Sequence, residues 1–217
     1  MEIALLVAAA GIAIGAVMFF RRKPAPPPAP TTREMTLAEL APADVINING
    51  SMLIVENVLE CSEDMGARIT GWRWTLLEDG QLLEVETGSQ LLYQASVLAR
   101  QGSEIFDQLV ADDGILKTFE ARVREHGAAH GVTFQLQDQV YSVQSTGTFA
   151  AKPVGAAPTQ EVWRDLSPTQ GENVYFKMEA ADGALLLGVW TTHIALHQGR
   201  PLSQPEILGL YPGSEGK

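Results

Sequence analysis

The histidines are the first side chains in this 217-residue chain that suggest chemistry, because they form two pairs with three residues between the members, His126/His130 and His193/His197. On an α-helix this spacing places both rings on one face, where they could bind zinc. His193 and His197 lie in TTHIALHQG, which has the pattern of a strand, and strand residues four apart are about 13 Å from each other. His126 and His130 enclose Gly-Ala-Ala and precede Gly131, which disfavours a helix. We therefore expect surface or turn histidines and no metal site.

The remaining reactive side chains also lack a catalytic arrangement. Cys61 is the single cysteine, so it cannot form an intramolecular disulfide or a thiolate metal site, and we expect an ordinary residue at a strand end. Glu84 and Glu86 share one strand face and are predicted to be solvated, whereas Asp79 and Asp182 are predicted to be turn residues. The chain has no phosphate-binding loop and no nucleophile elbow. The sequence thus predicts no catalytic residue, no metal ligand and no cofactor.

Four aromatic residues, Trp72, Trp74, Tyr175 and Trp190, could line a ligand cleft or fill a core. Aromatic side chains carry a large apolar area, and in a small β fold they are more often core residues. We expect them in the core and keep a cleft as the alternative.

Two hairpins organise the first part of the chain beyond residue 35. Asn49-Gly50 separates the apolar runs 45–48 and 51–59, and Asp79-Gly80 separates 72–77 from 81–86. Both dipeptides supply the positive φ angles of tight hairpin turns. In the second hairpin Trp72, Trp74 and Leu76 alternate along one strand, so they are predicted to share a buried face.

The same pattern returns later and predicts an internal duplication. Residues 134–138 followed by 139–143 match the first hairpin, and Asp182-Gly183 with the following Leu-Leu pair matches the second. In this second copy the apolar face is expected to be Phe176, Met178 and Ala180, which is shifted by one residue from the first copy. The predicted fold class is mainly β: two similar antiparallel halves, as small bent sheets or small barrels, pack together.

The predicted halves cover about residues 36–96 and 131–217 of a β-rich domain at 36–217. The connector, about residues 97–130, contains a serine followed by helical spacing in residues 103–110, so we expect a short helix there.

The first 23 residues predict a membrane anchor. Residues 3–20 are eighteen uncharged, mainly apolar residues, close to the length of a spanning helix, and Arg21-Arg22-Lys23 follows directly. Basic residues remain in the cytoplasm, so we expect a single-pass anchor at 1–20 with everything downstream cytoplasmic. Gly11 and Gly15 have the spacing that permits close helix pairing, which makes a homodimer possible. Residues 21–35 are predicted to form a linker, and its proline-rich part, residues 23–32, is expected to be a semi-rigid spacer of roughly 25–30 Å.

Charge excludes some partners. Beyond residue 32 the chain has 12 basic and 25 acidic residues, a formal charge of −13. Such a domain repels nucleic acid and the anionic inner leaflet, so we expect no nucleic-acid partner. A basic partner is compatible with this charge.

Six stretches of the chain have a recognisable sequence pattern: 42–50, 72–80, 83–86, 140–143, 175–190 and 199–207. These stretches resemble a known family, the bacterial domain-of-unknown-function family 4178. The resemblance covers most of residues 38–212, and it departs at residues 95–130, which look longer than the family's connector. It implies a β-rich fold and supplies no catalytic residue.

These features together predict a membrane-anchored, non-enzymatic protein-binding or assembly module on the cytoplasmic face. The alternative is a small-ligand sensor or an enzyme whose cleft lies between the two halves.

Overall fold

The structure is a computed structural model that describes residues 35–86, 95–102, 121, 125, 132–136, 138–191 and 194–213. The chain divides into two compact units, Met1–Glu34 and Met35–Lys217, and all described residues belong to the second. The predicted anchor with Gly11 and Gly15, and nearly all of the predicted linker, lie outside the described residues. Within residues 35–213 as described, no helix is long and apolar enough to cross a membrane.

Eleven strands make up the described unit. They are β1 (Val45–Ile48), β2 (Ser51–Asp64), β3 (Ile69–Leu77), β4 (Gln81–Glu86), β5 (Ala95–Arg100), β6 (Thr133–Leu136), β7 (Gln139–Val154), β8 (Asn173–Ala180), β9 (Leu185–Trp190), β10 (Ile194–Leu202) and β11 (Ile207–Tyr211). A short helix, α1 (Glu161–Arg164), lies between β7 and β8, and 3₁₀ turns occupy Leu37–Glu39 and Gln204–Glu206. In the connector, Ala121 and Glu125 have helical conformation; residues 103–110 lie outside the described residues.

Eight of the strands close into one antiparallel barrel in the order β2-β3-β4-β5-β10-β9-β8-β7, and β7 pairs back onto β2. Strand β1 extends the sheet from β2 and pairs with β11, while β6 extends it from β7. The mainly β prediction is confirmed. The two halves form neither separate sheets nor separate barrels. The four barrel strands of each half lie side by side in one closed ring, and the halves meet at two seams, β2–β7 and β5–β10.

The order of strands is the same in both halves. A short hairpin (β1-β2 or β6-β7) precedes a second hairpin (β3-β4 or β8-β9), and one further barrel strand (β5 or β10) follows. The second half then adds β11, which pairs with β1. The long strand of each half carries a bulge, at Glu56 in β2 and at Gln144 in β7. A bulge bends its strand, and the bend lets β2 and β7 each pair with an outer strand at one end and with each other at the opposite end.

Three apolar clusters hold this arrangement together. The largest lies inside the barrel and includes Trp72, Trp74 and Leu76, as the alternation predicted. Two others cover the outer faces: β1 and the first 3₁₀ turn lie over β3 and β4, and β6 with the start of β7 lies over β8 and β9.

The tight turns use the residues that the sequence indicated. Asn49, Gly50, Gly80 and Gly183 all have positive φ. The carboxylates of Asp79 and Asp182 accept hydrogen bonds from the backbone two residues onward, which confirms their turn role.

The two ends of the described unit are joined by Asp44, whose carboxylate accepts hydrogen bonds from the N–H groups of Ala41 and Gly213 at 2.7 Å each.

Candidate functional site: the polar cluster inside the barrel

Aromatic rings fill the barrel interior. Trp72, Trp74, Phe149 and Tyr175 pack with ring centroids 5.1–5.9 Å apart, and Trp163 from α1 adds a fifth ring 5.6 Å from Trp74. Such tilted and edge-on contacts are the favoured geometry for aromatic pairs. Three of the four aromatics singled out in the sequence are therefore core residues.

The fourth aromatic, Trp190, does not join them. It lies at the end of β9 and is 41 % exposed. The expectation that it belongs to the core is wrong, because its strand ends at the rim of the barrel.

A charged pair crosses the middle of this apolar interior. Lys177 on β8 places its Nζ 2.9 Å from Oε1 of Glu84 on β4, and these strands are on opposite sides of the ring. The indole N–H of Trp74 donates to Oε2 of Glu84 at 2.8 Å. Both carboxylate oxygens of Glu84 are thus bonded. The prediction of a solvated Glu84 is wrong, because the side chain points into the ring toward a lysine that comes from the other half.

The lysine is further stabilised by its surroundings. Its ammonium lies 5.5 Å from the ring centroid of Trp72 and 6.0 Å from that of Tyr175, in cation–π range. Glu86 is 3.5 Å away and is half exposed, as the sequence predicted. Burial lowers the pKa of Lys177, but the charge and hydrogen bond of Glu84, then those of Glu86, outweigh it and leave the pKa above its ordinary value.

A second bond inside the barrel joins the two halves. The hydroxyl of Tyr175 on β8 donates to Oε2 of Glu63 on β2 at 2.8 Å. The Glu63 carboxylate lies where a Cβ at Gly147 would be, so a larger residue at 147 would displace this carboxylate. Burial, then the hydrogen bond and charge of Glu63, raise the pKa of Tyr175. This tyrosine is therefore held neutral as a donor.

His197 is a buried member of the interior. It is 1 % exposed, its ring lies 5.2 Å from that of Trp163, and its Nδ1 has no hydrogen-bond partner within the described residues. Burial, then the charge of Arg100, lowers the pKa of His197 to about 3. The prediction of a surface or turn histidine is wrong here, because β10 turns this position inward; His193, His126 and His130 lie outside the described residues.

Cys61 is also an interior residue. It lies within β2 and is 3 % exposed, so the expected position at a strand end is wrong. Burial, then the charge of Glu84, raises the pKa of its thiol well above the ordinary value. A thiol held protonated in this way is a poor nucleophile.

The Asp-Gly turns show which residues of the two hairpins are equivalent. Aligning Asp79-Gly80 with Asp182-Gly183 makes Tyr175 equivalent to Trp72 and Lys177 equivalent to Trp74. The apolar face predicted for β8 (Phe176, Met178 and Ala180) is buried, but it belongs to the outer cluster. The two hairpins therefore align without a one-residue shift. Strand β8 presents the polar Lys177 to the interior, so its apolar residues indicate the outer face of the barrel.

An open groove of about 830 Å³ follows the β5–β10 seam on the outside of the barrel. Its polar side chains already bond within the protein: Gln198 donates to Tyr141, Asp182 accepts from Gln139, and Arg200 pairs with Glu206. The groove therefore offers few unpaired polar groups to orient a ligand.

No cluster of three metal-binding side chains occurs among the described residues. In the barrel interior, Glu84 bonds to Lys177 and Trp74, and Glu63 bonds to Tyr175, whereas Nδ1 of His197 and Nε1 of Trp72 have no hydrogen-bond partner within the described residues. No family model, no curated protein and no solved structure matches this chain.

Proposed function

We propose that this chain is a membrane-anchored, cytoplasmic β-barrel module that binds a protein partner and does no catalysis. The observation that carries the proposal is the filled interior, where the aromatic rings and the Lys177–Glu84 pair leave the outer surface as the place for recognition. The anchor at residues 3–20, its orientation by Arg21-Arg22-Lys23 and the pairing of anchors through Gly11 and Gly15 belong to this proposal. So do duplication of an ancestral half and membership of family 4178.

One outer surface has the composition of a binding site. Ile54, Val45 and Tyr211 lie opposite one another on β2, β1 and β11, so they form a row on one face of this three-stranded part of the sheet. Ile54 and Tyr211 are 45 % and 46 % exposed, and Met52, in the next row, is 51 % exposed. Aromatic residues and methionine are enriched at interfaces.

The charge around this row indicates what kind of partner fits. Glu56 and Glu78 are exposed beside it, and the Glu78 carboxylate accepts a hydrogen bond from the Ile54 N–H. With a net charge of −13 beyond residue 32, the domain attracts cationic surfaces. The partner is therefore a protein with basic residues around an apolar contact.

The experiment compares full-length wild type with Ile54→Lys, solubilised from native membranes and captured through a tag. Ile54→Lys adds a like charge toward a basic partner and removes apolar contact, so co-purified protein is expected to be lost. Ile69→Lys is the matched control, because Ile69 is 71 % exposed on β3 and lies outside the row. Identical partners from all three chains would refute the assigned surface.

A reporter fused after Lys217 tests the topology separately. We expect activity from a reporter that works only in the cytoplasm, since the basic triplet follows the apolar run. Activity of an export-dependent reporter instead would reverse the orientation.

The second candidate, a ligand sensor or enzyme with a cleft between the halves, is favoured by the groove at the β5–β10 seam, which both halves line. Its polar side chains are already paired, so we rank it second.

A further inference from the structure

The strand order of the barrel would allow its halves to pair in more than one combination. Each half contributes one outer strand to each of two antiparallel seams: β2 and β5 from the first half meet β7 and β10 from the second. Because the halves have the same strand order, two first halves from neighbouring chains present edges of the same type, and so do two second halves. The residues at the interior and the seams must select the correct combination.

We propose that Glu84 and Lys177 form a pairing code, which makes a first half close only with a second half. Glu84 and Lys177 do not occupy equivalent positions in the two halves. Glu84 pairs with Trp74 in the first half, and Leu187 pairs with Lys177 in the second, so Glu84 corresponds to Leu187 and Lys177 to Trp74. A barrel of two first halves would enclose two Glu84 carboxylates and no ammonium. A barrel of two second halves would enclose two Lys177 ammonium groups beside Leu187 and no carboxylate at that level.

Burial makes this arrangement selective. The Glu84 side chain is 9 % exposed and that of Lys177 is 23 % exposed. A buried charge without its partner is strongly destabilising, whereas the intact pair is often no more stable than apolar residues of similar volume. The pair therefore has little value as added stability and considerable value in rejecting the wrong half.

The seams repeat the same asymmetry. At the β5–β10 seam Leu98 of the first half lies opposite Gly199 of the second half. The pairing of each residue with its neighbouring strand shows that Leu98 and Gly199 occupy equivalent positions in the two halves. A Cβ at position 199 would overlap the carbonyl oxygen of Val97, so only glycine fits there. Two first halves would bring two Leu98 residues to this point. At the β2–β7 seam, Glu60 lies opposite Lys152 in the strand register, so residues of opposite charge from the two halves face each other.

The test exchanges charges between full-length chains. A Glu84→Lys chain contains lysine in both halves, and a Lys177→Glu chain contains glutamate in both halves. Neither can form an opposite-charge pair within one chain. Together, the first half of each fits the second half of the other. The 32 residues between Arg100 and Thr133 can span about 100 Å when extended, so halves of two chains can exchange.

The two variants carry different affinity tags, are co-expressed and are extracted in detergent. We expect a folded complex containing both tags, about tenfold or more above the association of two tagged wild-type chains. The wild-type pair accounts for any pairing of anchors. Each variant expressed alone is expected to lose folded monomer. In the complex, one of the two barrels combines Glu84 with Lys177 as in wild type, and it therefore keeps the hydrogen bond from Trp74 to Glu84.

Arg200 and Glu206 supply the matched control, because this ion pair lies within the second half. Co-expressed Arg200→Glu and Glu206→Arg chains cannot restore it by exchange, so they should associate no more than wild type. The proposal is overturned if the Glu84→Lys and Lys177→Glu chains associate no more than this control. It is equally overturned if either variant, expressed alone, folds as a monomer like wild type.

Discussion

Replacing His197 with leucine should remove a specific part of the pH dependence of stability. The pKa of His197 is lowered to about 3 in the folded barrel, from an ordinary value of 6.5. An unfolded chain therefore binds a proton below pH 6.5 that the folded chain does not accept until about pH 3. Stability from this group is present above pH 6.5 and is lost as the pH falls toward 3.

Linkage between these two values makes the loss about 2 kcal/mol between pH 7 and pH 5. We would measure the free energy of unfolding of residues 33–217 in urea at both pH values, following tryptophan fluorescence. The carboxylates titrate in both chains, so their effects cancel in the difference between wild type and His197→Leu. We expect wild type to lose about 2 kcal/mol more than the variant on going to pH 5.

His126→Leu serves as the control, because the sequence places His126 in the connector, and it should keep the wild-type pH dependence. Equal pH dependence for wild type and His197→Leu, within about 0.5 kcal/mol, would show that His197 titrates normally and that the interior admits water.

Three further outcomes are expected. Trp74→Ala should lower the free energy of unfolding of residues 33–217 by roughly 3–5 kcal/mol in urea, since Trp74 is fully buried; a loss below about 0.5 kcal/mol would place it in solvent. Gly199→Ala should cost about 1–3 kcal/mol in the same assay, because its methyl group meets the Val97 backbone, and an unchanged midpoint would contradict the close β5–β10 contact. Purified residues 33–217 should contain no stoichiometric zinc and keep their melting temperature in a chelator; one metal per chain by elemental analysis would refute this.

Local features of the fold were predictable from the sequence. The Asn49-Gly50 and Asp79-Gly80 turns follow from residues that tolerate positive φ, and the buried face of β3 follows from the alternation of Trp72 and Trp74. These properties depend on neighbours a few residues away, which a single sequence displays directly.

The interior polar cluster was not predictable in the same way. Glu84 is expected in solvent by its type, and only the position of Lys177, 93 residues later, makes its burial tolerable. Closure into one ring likewise depends on the β2–β7 and β5–β10 seams, which join strands far apart in the chain. The spacing of the histidines did not indicate that His197 is buried. Whether a strand residue points inward depends on which face of its strand lines the inside of the barrel.

The link formed by Asp44 has a consequence for how the chain can be rearranged. Its carboxylate binds the N–H of Ala41 near one end of the described unit and that of Gly213 near the other. A short peptide could therefore join the ends, and new termini could be opened in an exposed turn such as Asp79-Gly80. In such a circular permutant the predicted linker would leave the barrel from a different turn, which would separate the contribution of the barrel surface from that of its point of attachment.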